Sequence, residues 1–424
     1  MSTHKNVEKM ETCICCGSKN LTQILNLNKQ PLANSYHDNT KKLKKYPLGL
    51  NLCKDCYHLQ LTHRVNPDLL FKDYLYVSGT SQTLKDNMEW FSKYVFTKYN
   101  AGPINTVLDI ACNDGTQLDF FKNAKPHKML QQLGRSIDTY GIDPAENLYK
   151  DCKEKGHNVQ CCYFGEHDRE QLPQKIDVIV AQNVFAHNKD ALQFLKDCND
   201  LMHDDSLLYV QTSQSNMILE NQFDTIYHEH LSFFNINSIN TLSQRVPGLF
   251  LIDVVKTPIH GVSYLFVFSK NEEKIRNSRY ELENLLNVEK EQGLCKIETY
   301  DTYRENVLNI TKDFTNEIQT AREEGYKIIG YGAAAKGMTL LNFADEQLDY
   351  IIDDNPLKQN LYTPGTNIEI KSIKLLKEYS DDDKILFVPL AWNFYKEIKQ
   401  RILKVRDNEN DKFLKYFPSV KLEG

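Results

Sequence analysis

Apolar and polar positions change period along this chain, and the changes mark out its elements. Short apolar runs begin at Thr106 and recur at Thr139–Ile142, Asn158–Phe164, Ile176–Gln182 and Ser206–Thr212. Helical periodicity separates them, at Gln117–Ala124 and again beyond it. Strand alternating with helix predicts a doubly wound parallel sheet. Two further runs, Phe250–Val255 and Ser263–Phe268, joined through Pro258-Ile259-His260-Gly261, read as a terminal hairpin. Residues 272–324 are charged and hold few Gly or Pro, which predicts long linking helices. A second α/β unit opens with a strand from Lys327, followed by strands at Leu348–Ile352 and Lys384–Pro389 and a helix over Trp392–Leu403. The fold class is therefore α/β in three parts: a small N-terminal segment (1–70), a central doubly wound unit (71–271), and linking helices with a Rossmann-like unit (272–424).

The first central strand runs through Val107-Leu108-Asp109-Ile110 and turns through Ala111-Cys112-Asn113-Asp114-Gly115 into a helix. A turn of small residues at that point lets the backbone approach a nucleotide-like ligand, and an acid at the end of the next strand, Asp143, suits ribose hydroxyls. An adenosine-type cofactor is expected against Asp109, Ala111, Cys112, Asn113, Asp114, Gly115 and Asp143. Compared with the Asp-x-Gly-x-Gly-x-Gly turn of S-adenosylmethionine (SAM) enzymes, Ala111 and Asn113 replace glycines. Alanine is small, however, and asparagine tolerates positive φ. Ligands of such sheets lie beyond the carboxyl ends of the strands, which adds Asn183, with His187 shortly after it. An ordinary strand-to-helix turn without a ligand is the competing reading.

Near the N-terminus, Cys13-Ile14-Cys15-Cys16 and Cys53-Lys54-Asp55-Cys56 form paired CxxC knuckles. Such turns point both sulfurs inward, so Cys13, Cys16, Cys53 and Cys56 offer four thiolates to a tetrahedral zinc, with Cys15 spare. Four sulfur ligands leave no position for a water, so the zinc is expected to be structural, stapling a segment too small to hold itself together. Eleven cysteines, an odd number, suit a reducing compartment better than a disulfide framework.

The densest cluster of titratable side chains is Tyr227-His228-Glu229-His230-Leu231-Ser232. Ser232 stands where an HExxH zinc site needs its second histidine, so this is not such a site. A histidine of ordinary pKa, about 6.5, suits proton transfer at neutral pH. In a strand or extended loop Glu229 faces away from both histidines, and in a helix the three fan out, so only some of them can enter a pocket. Polar loop residues that merely bond one another are the alternative. Farther on, Gly330-Tyr331-Gly332-Ala333-Ala334-Ala335-Lys336-Gly337 follows a strand, and Asp353-Asp354 comes about 20 residues later, as in a dinucleotide fingerprint. Lys336 at the helix start suits a phosphate equally well.

A formal net charge of -6 argues against nonspecific adhesion to nucleic acid or anionic membrane. The short Lys41-Lys42…Lys44-Lys45 run reads as a solvated loop. No apolar run is long enough to span a bilayer, and the polar start Met1-Ser2-Thr3-His4 lacks a secretory core, so a cytoplasmic protein with neither nucleic-acid nor membrane partners is expected.

Together these residues resemble the three-domain sugar C-methyltransferases, which combine an N-terminal zinc domain, a central SAM methyltransferase fold and a C-terminal Rossmann-like domain. The resemblance covers nearly the whole chain. It rests on the two knuckles with Pro31-Leu32-Ala33-Asn34 between them, on Cys112-Asn113-Asp114-Gly115, on Tyr227-His228-Glu229-His230-Leu231, and on Gly330 to Gly337 followed by Asp354-Asn355-Pro356-Leu357-Lys358-Gln359. It implies SAM as cofactor, a structural Zn2+, and methylation at the carbon next to the ketone of a nucleotide-linked 4-keto-6-deoxy sugar, dTDP-linked, in branched-chain deoxysugar biosynthesis. It also implies His230 as general base, with Tyr76, Tyr227 and Glu229 lining the sugar pocket. His187, His260 and Lys336 are expected at the substrate. Three departures stand out: Tyr57 where a glycine often follows the last cysteine, and Val262 and Asn360 in place of glycines. Removing the proton next to a ketone gives an enolate that attacks a sulfonium methyl, which needs a base, alignment and an oxyanion partner, Tyr227 or Tyr76. Two rivals are an NAD-dependent sugar oxidoreductase using the C-terminal GxGxxA unit and a zinc-ribbon RNA methyltransferase, for which no basic, aromatic groove is evident.

Overall fold

Seven strands make the central sheet, in the order Phe250–Thr257, Ser263–Ser269, Met202–Thr212, Ile176–Gln182, Thr106–Ile110, Asp138–Ile142, Asn158–Gln160. This computed structural model describes residues 6–39, 42–71, 79, 82–99, 104–124, 137–212, 215–257 and 263–424. Tyr76 and His260, expected at the substrate, lie outside the described residues, as do Val262 and the helix expected beyond Ala124. All neighbours in the sheet are parallel except for the edge hairpin, which joins Met202–Thr212 antiparallel. Burial on both faces explains the unbroken apolar run Val178-Ile179-Val180-Ala181, where no side chain is exposed to water. The run expected at Asn158–Phe164 leaves the sheet after Gln160, because a turn with Glu166 N bonded to Tyr163 O and Gly165 at φ 100° takes over.

The C-terminal sheet repeats this topology. Its order is Ile370–Lys371, Tyr350–Ile352, Lys327–Tyr331, Ile385–Pro389, Lys412–Lys415, Lys421–Glu423, with only the last strand antiparallel. Counted from the strand before each Gly-containing turn, both sheets run third, second, first, fourth, fifth, then an antiparallel neighbour. The helix expected from Trp392 begins instead at Tyr395; Trp392–Phe394 is a 3-10 turn, with the Trp392 indole held by Asp224.

Two helices, Glu272–Glu291 and Ile297–Glu323, link the sheets. The second buries Tyr300, Tyr303, Val307, Ile310, Phe314, Ile318 and Ala321, a stripe at helical spacing. Against that stripe pack Ile24, Leu27, Leu50 and Leu59 of the N-terminal segment, Phe223 and Phe233 of the central unit, and Ile328 and Leu341 of the C-terminal unit. One core therefore joins all three parts. The N-terminal segment is itself a sheet of Leu21–Gln30, Tyr46–Cys53 and Leu59–Leu61, to which the central unit adds Ser232–Phe233. Among the described residues no helix is long and apolar enough to cross a membrane.

Candidate active site and zinc centre

The sulfurs of Cys13, Cys16, Cys53 and Cys56 all lie within 4.8 Å of one another, with Cys13–Cys56 at 3.5 Å and Cys16–Cys53 at 3.6 Å. A tetrahedral zinc about 2.3 Å from each thiolate separates its sulfurs by about 3.8 Å, so the donor set fits the ion. Cys15 is buried outside the set. Both knuckles close with the same bond, Gly17 N to Cys13 O and Tyr57 N to Cys53 O, each 2.9 Å. Gly17 has φ 78° and Tyr57 φ 57°. Tyr57 thus occupies the left-handed position that glycine fills in the first knuckle, at about 1 kcal/mol of backbone strain.

The turn after Thr106–Ile110 carries three left-handed residues, Ala111 at φ 65°, Asn113 at 51° and Gly115 at 75°. For an alanine this costs about 1–2 kcal/mol, and strain of this kind collects where a backbone must meet a ligand. The next strand braces the turn: Ala111 N donates to Ile142 O at 2.7 Å and Asn113 N to Asp143 Oδ2 at 2.8 Å, while Asp143 Oδ1 accepts Ala145 N at 2.8 Å. A carboxylate has about four acceptor sites, so Asp143 retains capacity for ribose hydroxyls. Burial pushes its pKa up, and that of Asp109 further. Asp114 turns inward, accepting Thr116 Oγ1 at 2.8 Å and Gly79 N at 3.1 Å. Cys112 also turns inward, since a Cβ on Gly141 would meet its sulfur at 2.6 Å. Their backbone oxygens are taken within the unit, Cys112 O by Gly115 N at 2.9 Å and Asp114 O by Lys155 Nζ at 2.6 Å. Asn183, at φ 56°, ends the Ile176–Gln182 strand with its N–H on Gln211 O at 2.8 Å.

The Tyr227–His230 segment is neither strand nor helix but a turn closed by His230 N on Tyr227 O at 3.0 Å. That separates the two histidines. His230 Nδ1 lies 3.1 Å from Thr225 O; a carbonyl only accepts, so Nδ1 carries the hydrogen. Nε2 is then the basic nitrogen, and the Tyr227 hydroxyl, 2.9 Å away, donates to it. His228 Nε2 instead faces Tyr46 O at 3.3 Å, and burial lowers its pKa to about 4, so it stays neutral. His187 donates from Nδ1 to Glu229 O at 2.5 Å, with its ring 5.3 Å from that of His230.

Glu229 accepts Asn34 Nδ2 at 2.6 Å, and burial pushes its pKa from 4.5 to about 7. Because the folded value is raised, its contribution to stability is fully present below pH 4.5 and is lost as pH rises through about 7. The change is of order 3 kcal/mol at most. Glu229→Gln keeps an acceptor for Asn34 and is expected to flatten the thermal midpoint between pH 5 and 7.5 relative to the wild type. Parallel melting curves for the two proteins would contradict the buried-acid assignment.

Sequence reading missed Asp224, three residues before this turn. Its Oδ2 accepts Trp392 Nε1 at 2.7 Å, and burial pushes its pKa to about 6 against the opposing charge of Lys336. Lys336 Nζ sits 4.7 Å over the Trp392 ring, so this helix-start lysine faces the 223–230 loop. An acid between the apolar Phe223 and Ile226 is the signal the sequence offers.

The C-terminal turn copies the Asp143 brace: Gly332 N donates to Ile352 O at 2.7 Å, Ala333 N to Asp353 Oδ2 at 2.7 Å, and Asn355 N to Asp353 Oδ1 at 2.8 Å. Ala333 O is already taken by Lys358 Nζ at 2.7 Å and by the Tyr36 hydroxyl at 2.5 Å. A Cβ on Gly332 would meet Ala391 Cβ at 2.8 Å, and one on Gly337 would meet Leu390 Cβ at 2.6 Å. Close approach of the residues that follow the Ile385–Pro389 strand therefore accounts for Gly332 and Gly337 without a dinucleotide. Asn360, the substituted glycine, sits at φ 66°, which asparagine tolerates.

Family models match three successive parts of this chain, and the last of them begins before the final strand of the central sheet, Ser263–Ser269. Residues 13–71 match a zinc binding domain, 75–246 a methyltransferase domain, and 258–418 a C-methyltransferase C-terminal domain. The C-methyltransferase NovU of Streptomyces niveus is 26% identical over 402 residues, 92% of each chain. Among solved structures, the plantazolicin methyltransferase BpumL in complex with a pentazolic desmethylPZN analog and SAH is 14% identical at TM-score 0.36, covering 46% of this chain and 87% of its own. An S-adenosylmethionine-dependent methyltransferase from Clostridium acetobutylicum is 11% identical at TM-score 0.34, covering 46% and 94%. The central strand order with its antiparallel hairpin is the class I methyltransferase arrangement.

Proposed function

From the premise that this chain belongs to the three-domain, SAM-dependent C-methyltransferases, we propose that it methylates the carbon next to the ketone of a nucleotide-linked 4-keto-6-deoxy sugar, dTDP-linked, in the making of a branched-chain deoxysugar. The observation that carries this reading is the pair of contacts at His230, Nδ1 3.1 Å from Thr225 O and Nε2 2.9 Å from the Tyr227 hydroxyl, from which a hydrogen on Nδ1 and a basic Nε2 follow. Bound SAM supplies an electrophilic sulfonium methyl. The chain supplies the rest. The strained turn at Ala111–Gly115 and Asp143 hold the cofactor's amino acid and ribose portions. The Tyr227 hydroxyl leaves Nε2 as the sugar enters, Nε2 takes the proton next to the ketone, and the freed hydroxyl donates to the enolate oxygen. His187 and Glu229 line the same loop, and Lys336 with Trp392 offers a cationic and aromatic contact to the nucleotide. Four thiolates at the knuckles hold zinc as a structural ion.

Two measurements test this. Incubation with SAM and a panel of nucleotide-linked ketosugars, read by mass and by NMR for the position of the new methyl, is expected to give one C-methylated product. A panel without any methylated sugar would remove the substrate class. Asp143→Ala, which loses both the ribose acceptor and the brace on Asn113, is expected to weaken SAM binding roughly tenfold or more. Calorimetry showing wild-type affinity would end the cofactor assignment.

A further inference from the structure

The strand that follows His230 leaves the sheet of its own unit. Ser232 and Phe233 pair antiparallel with Gln60 and Leu59, and Leu61 N donates to Leu231 O at 2.9 Å. The same N-terminal segment grips the loop just before this strand, through Tyr46 O on His228 and Asn34 on Glu229. It also grips the chain just after it, where Asn235 Nδ2 donates to Tyr57 O at 2.9 Å and Asn237 Nδ2 to Cys56 O at 3.0 Å.

At the centre of this contact is His58, two residues past the last zinc-binding cysteine. It is 0% exposed, its Nε2 lies 3.2 Å from Ser232 Oγ, and its ring centroid is 4.8 Å from that of Phe234. Its Nδ1 has no hydrogen-bond partner among the described residues. Burying an imidazole with one nitrogen unmet is unfavourable, and a phenyl ring would pack beside Phe234 without that penalty. The bond to Ser232 is what distinguishes histidine here.

We infer that His58 is a positioning residue for His230: it fixes Ser232, and through the short, stiff link of Leu231 it sets where the His230 ring stands between Thr225 and Tyr227. Planar peptides leave only two soft torsions per residue across that link, so a shift of Ser232 is passed to His230. The knuckle end of the N-terminal domain is thereby part of the frame of the reacting histidine. This rests on the reading of His230 as the base.

The test compares full-length, zinc-loaded wild type with His58→Phe, His58→Gln and Ser232→Ala. Phenylalanine keeps the ring contact with Phe234 and loses the bond, whereas glutamine returns an N–H toward Ser232. In His58→Phe and Ser232→Ala, deuterium exchange of residues 225–234 is expected to rise roughly tenfold, with the 106–118 turn and the zinc content unchanged. With SAM and dTDP-linked 4-keto-6-deoxyglucose, kcat is expected to fall roughly tenfold at unchanged KM for SAM, and His58→Gln to recover most of both effects. Wild-type exchange in His58→Phe overturns the inference, and so does a loss that glutamine does not recover. Failure of the wild type to methylate this sugar counts against the substrate reading alone, because the exchange measurement still decides the role of His58.

Discussion

Replacing His230 with alanine is expected to leave SAM binding intact and to lower methyl transfer roughly 10²–10⁴-fold, the usual span for a positioned proton acceptor. The expectation follows from the bonding of the ring. Thr225 O fixes the hydrogen on Nδ1, so the only lone pair of the neutral ring is on Nε2, which meets the Tyr227 hydroxyl. His228→Ala is expected to cost much less, because that ring is spent on Tyr46 O within the N-terminal contact. Turnover alone does not distinguish a base from a residue that orients the sugar. Exchange of the proton next to the ketone with deuterated solvent does, since it needs the base and not the methyl. In His230→Ala that exchange is expected to fall to the background rate. Intact exchange with lost transfer would move His230 to another role, and normal turnover would remove it from the chemistry.

Much of this architecture is written locally in the sequence. The β-branched runs at Thr106 and Ile176 announce strands buried on both faces, and CxxC spacing brings four sulfurs together because each knuckle is a self-contained turn. Asn113 and Gly115 sit at the positive φ their types favour, while Ala111 takes one that its type resists. What local pattern does not carry is pairing across long stretches of chain. Ser232–Phe233 joins Leu59–Leu61 across about 170 residues, and a two-residue strand has no period of its own to read. For the same reason the sequence leaves strand, extended loop and helix open around Glu229, where the turn is held by Asn34 and Tyr46 from outside it. The C-terminal glycines read as a ligand signature because the spacing that admits a pyrophosphate also admits Leu390 and Ala391.

Cys53→Ser is expected to release the zinc and to loosen the loop that carries His230, while sparing the cofactor turn. A serine hydroxyl does not ionise near neutral pH, so the site drops from four anionic ligands to three. Binding of structural zinc is folding free energy, about 10–16 kcal/mol in isolated zinc fingers. The whole of that is not at stake here, because Leu27, Leu50 and Leu59 remain packed against Phe223, Tyr303 and Phe314. The variant should therefore stay folded with a thermal midpoint several degrees lower, roughly what a loss of a few kcal/mol produces. Turnover should fall with it, because Cys53 begins the turn whose carbonyls at Cys56 and Tyr57 hold Asn237 and Asn235. SAM affinity is expected to change little, since among the described residues Ala111, Asn113 and Asp114 are held by Ile142, Asp143, Thr116, Gly79 and Lys155, all in the central unit. Elemental analysis under reducing conditions is the first measurement, with one zinc per wild-type chain and a clear deficit in the variant expected. A wild type without tightly bound metal would refute the zinc assignment, and a metal-free variant with wild-type turnover would detach the knuckles from the catalytic loop.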